Sequence, residues 1–182
     1  ITPAQIAAKT EPTHYRLAQL WRAKDINLPG NLLVIPGSEP HESGSDPPRI
    51  LVIAGDRTLV ELALDGHELR RQELDLPQGD IITFLRTATR SNGDRLFVAA
   101  GVGRQQLHLL DANWQRILSF PQERHARISD VRFADLDGDH EPEIHVGYWG
   151  DLGVQGVSLA GKRLWTERTI SQIVQLEIGR AS

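Results

Sequence analysis

The sequence predicts an all-β fold built from repeated four-stranded units, and three observations carry that reading. Strongly apolar segments recur as Arg49-Ile-Leu-Val-Ile-Ala-Gly55, Arg95-Leu-Phe-Val-Ala-Ala-Gly101 and Glu143-Ile-His-Val-Gly-Tyr-Trp149, so their starts lie 46 and 48 residues apart. Each is followed by a second strand-like run that closes in a turn, at Leu64-Asp-Gly-His67, Leu110-Asp-Ala-Asn113 and Leu159-Ala-Gly-Lys162. Turn residues between two apolar runs mark hairpins. The recurring segments are apolar on consecutive residues rather than alternate ones, as a strand buried on both faces requires.

Taken in order, residues 1–14 read as a linker or a short Ala-containing helix. Gln19-Leu-Trp-Arg-Ala-Lys-Asp-Ile26 then shares Leu, Trp and Ile at identical spacing with Arg163-Leu-Trp-Thr-Glu-Arg-Thr-Ile170, and is predicted as the outer strand of an earlier unit. The first full unit, 27–76, opens with a strand at Asn31–Ile35, carries an inserted Ser/Pro/Gly/Glu-rich loop at Gly37–Pro48, and ends in a polar strand at Glu68–Leu74. The second, 79–123, opens at Ile81–Arg86 and ends at Gln115–Phe120; the third, 127–168, opens at Ile128–Ala134 and ends at Arg163–Thr166. The last strand of each unit is polar, as expected at a wetted edge. Ile170-Ser-Gln-Ile173 parallels Ile128-Ser-Asp-Val131, so 170–182 begins a further unit. Four strands in a period in the mid-forties is the size of a β-propeller blade. The expected architecture is therefore a β-propeller fragment over 15–182: about three four-stranded antiparallel blades, flanked by strands of adjacent blades. An antiparallel sandwich with coincidental spacing is the alternative.

Composition narrows the function classes. The chain of 182 residues carries 20 basic and 24 acidic residues, for a net charge of -4, and its 17 arginines are spread evenly. That excludes the clustered basic surface that nucleic acid demands. There is no Cys, so no disulfide, thiolate metal site or cysteine nucleophile exists. No apolar run approaches the roughly 18–20 residues of a membrane helix, so no membrane insertion is expected. With no Met in it, the chain is expected to be a processed product or a piece of a longer protein.

One constellation carries chemistry: Asp135-Leu-Asp-Gly-Asp-His-Glu-Pro-Glu143 places carboxylates at relative positions 1, 3, 5, 7 and 9. Calcium takes six to eight oxygens at about 2.3–2.6 Å, and a tight loop of alternate acids can aim them inward. Gly138 permits the sharp turn. An EF-hand is excluded, because its sixth position needs Gly where His140 stands and its twelfth needs Glu where Val146 stands. The flanks alternate as strands, with Val131 and Phe133 before and Ile144 and Val146 after. An acidic turn held by its own backbone hydrogen bonds is the alternative to a metal site.

Phe133-Ala-Asp-Leu-Asp-Gly-Asp-His-Glu-Pro-Glu-Ile-His-Val-Gly147 resembles an FG-GAP or VCBS repeat, the unit of integrin-α-like propellers, with the best match over 127–166. The resemblance implies calcium bound between the first two strands of a blade. Asp135, Asp137 and Asp139 would supply side-chain oxygens, Glu141 a backbone carbonyl and Glu143 the closing carboxylate. It also implies a secreted, periplasmic or cell-surface binding or adhesion module without catalytic activity, whose ligand would be a protein or a carbohydrate. The Phe-Gly and Gly-Ala-Pro words that name the family are absent. In the second unit the equivalent stretch, Thr87–Asp94, holds one acid and is expected not to bind.

Other candidates weigh less. None of the seven histidines, at 14, 41, 67, 108, 125, 140 and 145, forms a zinc-type pair. Strand alternation is expected to turn His145 away from the ligands or into blade packing. Trp21 and Trp165, at matching repeat positions, are expected to pack between blades. No motif brings Ser, His and Asp together. Lys162-Arg-Leu-Trp165 resembles a quinoprotein-type blade, so the competing reading is a non-catalytic portion of a propeller enzyme, of polysaccharide lyase or quinoprotein type. An intracellular WD-type scaffold lacks its Trp-Asp strand ending here. Exposed blade faces of a partial ring are expected to drive self-association.

Overall fold

The computed structural model describes residues 18–27, 30–37, 47–122 and 126–179. Twelve strands form three consecutive four-stranded antiparallel sheets, with no helix among the described residues. Sheet 1 holds β1 (Leu32–Ile35), β2 (Arg49–Ala54), β3 (Thr58–Ala63) and β4 (Glu68–Glu73). Sheet 2 holds β5 (Phe84–Thr89), β6 (Arg95–Ala100), β7 (Leu107–Leu110) and β8 (Arg116–Phe120). Sheet 3 holds β9 (Arg127–Ala134), β10 (Glu143–Trp149), β11 (Val154–Val157) and β12 (Arg163–Glu167). Within each sheet the strands pair antiparallel in chain order, so sheet neighbours are successive strands of the chain. The third-to-fourth turns close as the Asp and Gly residues suggest: Gly66 N–H donates to Ala63 O and Gly161 N–H to Ser158 O, with both glycines in the left-handed region.

The consecutive apolar residues of the second strands are explained by two cores on opposite faces. Leu51 and Ile53 of β2 face Phe97 and Ala99 of β6 in one core between sheets 1 and 2. Leu96, Val98 and Ala100, the alternate residues of β6, face Ile144, Val146 and Tyr148 of β10 in a second core between sheets 2 and 3. Each of the larger side chains removed from water contributes about 1.5–3 kcal/mol, so the sheets are held face to face by the same strands that pair within them. The first strands are neighbours as well, β1 beside β5 and β5 beside β9. Asn31 clasps this inner seam: its Oδ1 accepts from Leu85 N at 2.5 Å and its Nδ2 donates to Leu85 O at 3.1 Å.

Three expectations change. Gln19–Ile26 forms no strand; Trp21, Ala23 and Ile26 instead pack on the outward face of sheet 1, against Ile50, Val52, Val60 and Leu62. The described part of 170–182 forms no strand either. It runs beside β9 and β10, where Ile173 is buried over Gly147 and its N–H donates to Tyr148 O at 3.2 Å. The first strand of sheet 2 starts at Phe84 rather than Ile81, because Ile82 N–H is taken by Asp56 O of the β2–β3 turn at 2.8 Å. The proposed linker or helix at 1–14 and most of the Gly37–Pro48 loop lie outside the described residues. The two tryptophans do not share one role. Trp21 covers Gly66 and donates to Leu64 O at 2.9 Å, whereas Trp165 lies over Gly156 of its own sheet.

Candidate metal centre

Residues 135–142 connect β9 to β10, and the loop is shaped by its own side chains. Asp135 Oδ1 accepts from Gly138 N at 2.7 Å and its Oδ2 from His140 N at 3.0 Å. Asp137 Oδ1 accepts from Asp139 N at 3.1 Å, and Asp139 Oδ1 from Glu141 N at 2.7 Å. Glu143 Oε2 closes the loop on Leu136 N at 3.0 Å. Short acids bonding to amides two or three residues on are the usual Asx-turn devices. Gly138 and His140 take φ of 81° and 70°, which lets the chain curl twice within three residues.

The curl gathers the four carboxylates expected as side-chain ligands, out of the five in the run. One oxygen each of Asp135, Asp137, Asp139 and Glu143 lies within 4.8 Å of all the others; the three aspartates are exposed and Glu143 is buried at 7%. The fifth is turned away. Glu141 reaches sheet 2, where its carboxylate accepts from Arg90 Nε at 2.8 Å, from Ser91 N at 3.3 Å and from the Ser91 hydroxyl. These bonds, Ser91 first and Arg90 second, hold the Glu141 carboxyl below the ordinary carboxylate range. The physical reason is that a guanidinium and a hydroxyl on the neighbouring turn are better partners than a fifth negative charge.

The donor set suits a hard cation. Oxygens bound to one calcium at about 2.3–2.6 Å can lie up to roughly 5 Å apart across the ion, so the spread of the four carboxylates is compatible with a shared ion. All four offer oxygen, with no soft donor among them. The loop amides occupy one oxygen each of Asp137, Asp139 and Glu143, and no described residue donates to the second.

Of the two placements expected for His145, away from the acids or into packing, it takes the second. His145 is two residues along β10 from Glu143, on the same face, and its Nε2 lies 3.7 Å from Glu143 Oε2 and 3.2 Å from Ala134 O. It does not point away from the acids, although it is buried at 2% in packing against the Trp165 ring, 5.6 Å between centroids. His140 extends into solvent, with its Nδ1 3.9 Å from Asp135 Oδ2.

Sequence reasoning also missed a Ser, a His and an Asp brought together. His108 of β7 is fully buried; its Nδ1 is 2.8 Å from Ser119 Oγ of β8 and its Nε2 2.9 Å from Asp80 Oδ2. The trio belongs to the interior of sheet 2 and lines neither the cavity bordered by Glu61 and Trp114 nor the one bordered by Arg86 and Asp130, so it reads as satisfaction of a buried imidazole rather than as a nucleophile and its base. The available signal was a lone polar residue inside Leu107-His-Leu-Leu110, a strand otherwise apolar on both faces.

No family model matches the chain, and no curated protein matches it. Among solved structures, the crystal structure of BBS1N in complex with ARL6DN, soaked with mercury, resembles it at 12% identity with a TM-score of 0.34. The match covers 70% of this chain and 55% of that one, so the chain spans about half the length of that neighbour. A likeness at that score carries no functional weight. Fold and site together define a repeat-built, all-β chain with an acidic loop between the first two strands of its third sheet.

Proposed function

We propose that the three sheets are blades of a β-propeller of the FG-GAP/VCBS kind, that the loop from Asp135 to Glu143 binds calcium, and that the chain serves as a non-catalytic binding or adhesion module in a secreted, periplasmic or cell-surface setting. The observation that carries this is the convergence of Asp135, Asp137, Asp139 and Glu143 within 4.8 Å in one inter-strand loop. Support for the propeller reading comes from three consecutive antiparallel sheets stacked face to face with neighbouring first strands.

In this reading the four carboxylates hold the ion and the Glu141 carbonyl completes the set, while the Glu141 side chain anchors the loop to sheet 2. The ion supplies positive charge that lets the acids stay close at neutral pH. Millimolar calcium outside cells suits a modest-affinity exposed site. Ligand recognition then falls to loops on the faces of the propeller, for a protein or carbohydrate partner. The outward face of sheet 1, where Leu32 and Val34 are 56% and 53% exposed, is the surface for self-association.

Calorimetric titration with calcium tests the metal reading, with Asp137→Ala as the control. A saturable heat that the substitution abolishes supports it. No heat, together with a melting temperature indifferent to calcium and to chelator, removes it.

A further inference from the structure

We propose, resting on the calcium reading above, that sheet 2 is part of the metal site: Arg90 and Ser91 grip the Glu141 side chain and so position the acidic loop for the ion. Ion binding and the docking of sheet 2 on sheet 3 are thereby coupled. The gripping turn, residues 90–94 between β5 and β6, is braced by its own bonds. Arg90 N–H donates to Asp94 O at 2.8 Å, Gly93 N–H to Arg90 O at 2.9 Å and Asp94 N–H to Asn92 Oδ1 at 3.0 Å. From that turn Arg90 Nε, the Ser91 N–H and the Ser91 hydroxyl all donate to the Glu141 carboxylate. Three donors on one carboxylate fix its place more firmly than a single exposed ion pair does.

Glu141 passes that restraint to the acids through its backbone. Its N–H donates to Asp139 Oδ1 at 2.7 Å, and the preceding N–H, of His140, donates to Asp135 Oδ2 at 3.0 Å. The residue after it is Pro142, which is buried. A proline ring biases the residue before it toward extended backbone, so with its side chain held Glu141 has little freedom left. Two of the four converging acids are therefore bonded to amides at or beside a residue that sheet 2 holds.

Arg90 has two effects on a bound cation, and they are opposite in sign. Without a cation the four carboxylates repel and a loose loop spreads; a clamped loop loses less freedom on closing round an ion. Against that, a guanidinium near the site repels calcium, although Glu141 offsets its charge. Positioning predicts that removing Arg90 weakens binding, whereas charge alone predicts that removing it strengthens binding. By reciprocity, whatever sheet 2 contributes to ion binding the ion returns as tighter docking of sheet 2.

The test titrates the full chain with calcium chloride by calorimetry, beside Ser91→Ala, which changes no charge, Arg90→Gln, Glu141→Gln and the double variant Arg90→Gln/Glu141→Gln. Arg90→Gln and Glu141→Gln are each expected to bind at least about threefold more weakly than the parent, and the double variant no more weakly than Glu141→Gln, as members of one unit behave. Ser91→Ala is expected to weaken binding in the same direction. Hydrogen exchange at the Ser91 amide, in sheet 2, is expected to slow when calcium binds the parent and to ignore calcium in Glu141→Gln. Arg90→Gln binding as tightly as the parent or more tightly, a double variant weakened further, or a parent Ser91 amide indifferent to bound calcium each overturns the proposal. The exchange measurement needs only the parent, so it decides the matter even where a variant fails to fold. No calcium heat in the parent overturns the calcium reading and the positioning with it; a parent that binds beside variants that bind equally overturns the positioning alone.

Discussion

Glu141 and Arg90 join two sheets: the carboxylate on the acidic loop accepts from the guanidinium Nε at 2.8 Å, and Ser91 of the same turn adds a backbone and a hydroxyl donor. The Glu141 side chain thus anchors the acidic loop to sheet 2, apart from the four carboxylates that converge within it.

The anchor makes acid sensitivity predictable in sign. The Glu141 carboxyl sits below its ordinary value of 4.5 in the folded chain, through Ser91 first and Arg90 second. A depressed carboxyl contributes stability that is complete above the unfolded value and is lost as pH falls through the folded one. Below pH 4.5 the parent should lose melting temperature more steeply than Glu141→Gln, and above it the parent should melt at the higher temperature. Parallel melting curves across that window would show the bond to be inconsequential, as many exposed ion pairs are.

Glu143 and Asp137 should separate when mutated. Glu143 is buried and satisfies Leu136 N–H, so Glu143→Ala leaves a partly buried donor without its acceptor. A loss of about 1–3 kcal/mol in chemical denaturation is expected, even with chelator present. Asp137 is exposed and bonds only within the loop, so Asp137→Ala should change calcium response while leaving metal-free stability within about 0.5 kcal/mol.

His108 is expected to be a structural residue. Ser119→Ala strips one partner from an imidazole with no exposure and should cost about 1–3 kcal/mol, read by denaturant unfolding. A variant as stable as the parent would mean that the network does not hold sheet 2 together.

Gly101 marks a close approach. A Cβ there would overlap the Ile81 carbonyl oxygen, a backbone atom that cannot swing aside. Gly101→Ala should therefore destabilise by about 1–3 kcal/mol, with loss measured at the junction of 81–83 with β6 by amide exchange.

Self-association is tested by light scattering of the chain. Leu32 and Val34 lie on the outward face of sheet 1 and are more than half exposed. Dimers or larger species are expected, reduced by Leu32→Lys/Val34→Lys; a well-behaved monomer would count against association through sheet 1.

Much of the fold was legible in one dimension. The runs at Arg49–Ala54 and Arg95–Ala100 are apolar at every step after the first, and a strand can bury successive side chains only if both of its faces are covered. The repeat spacing and the Asp and Gly turn residues are equally local, which is why most of the twelve strands fall where those patterns place them. The acidic loop was legible for the same reason, since Asp135, Asp137 and Asp139 shape it through amides only two to five residues away. What only the tertiary structure decided depends on neighbours far along the chain. Glu141 left the acids because Arg90 stands beside it, Trp114 met Glu61 between sheets 1 and 2, and His108 found Asp80 and Ser119. Spacing along a chain dictates which way a side chain leaves its strand, but hydrogen bonds and charges act over a few ångströms of space, and those distances exist only once the sheets have stacked.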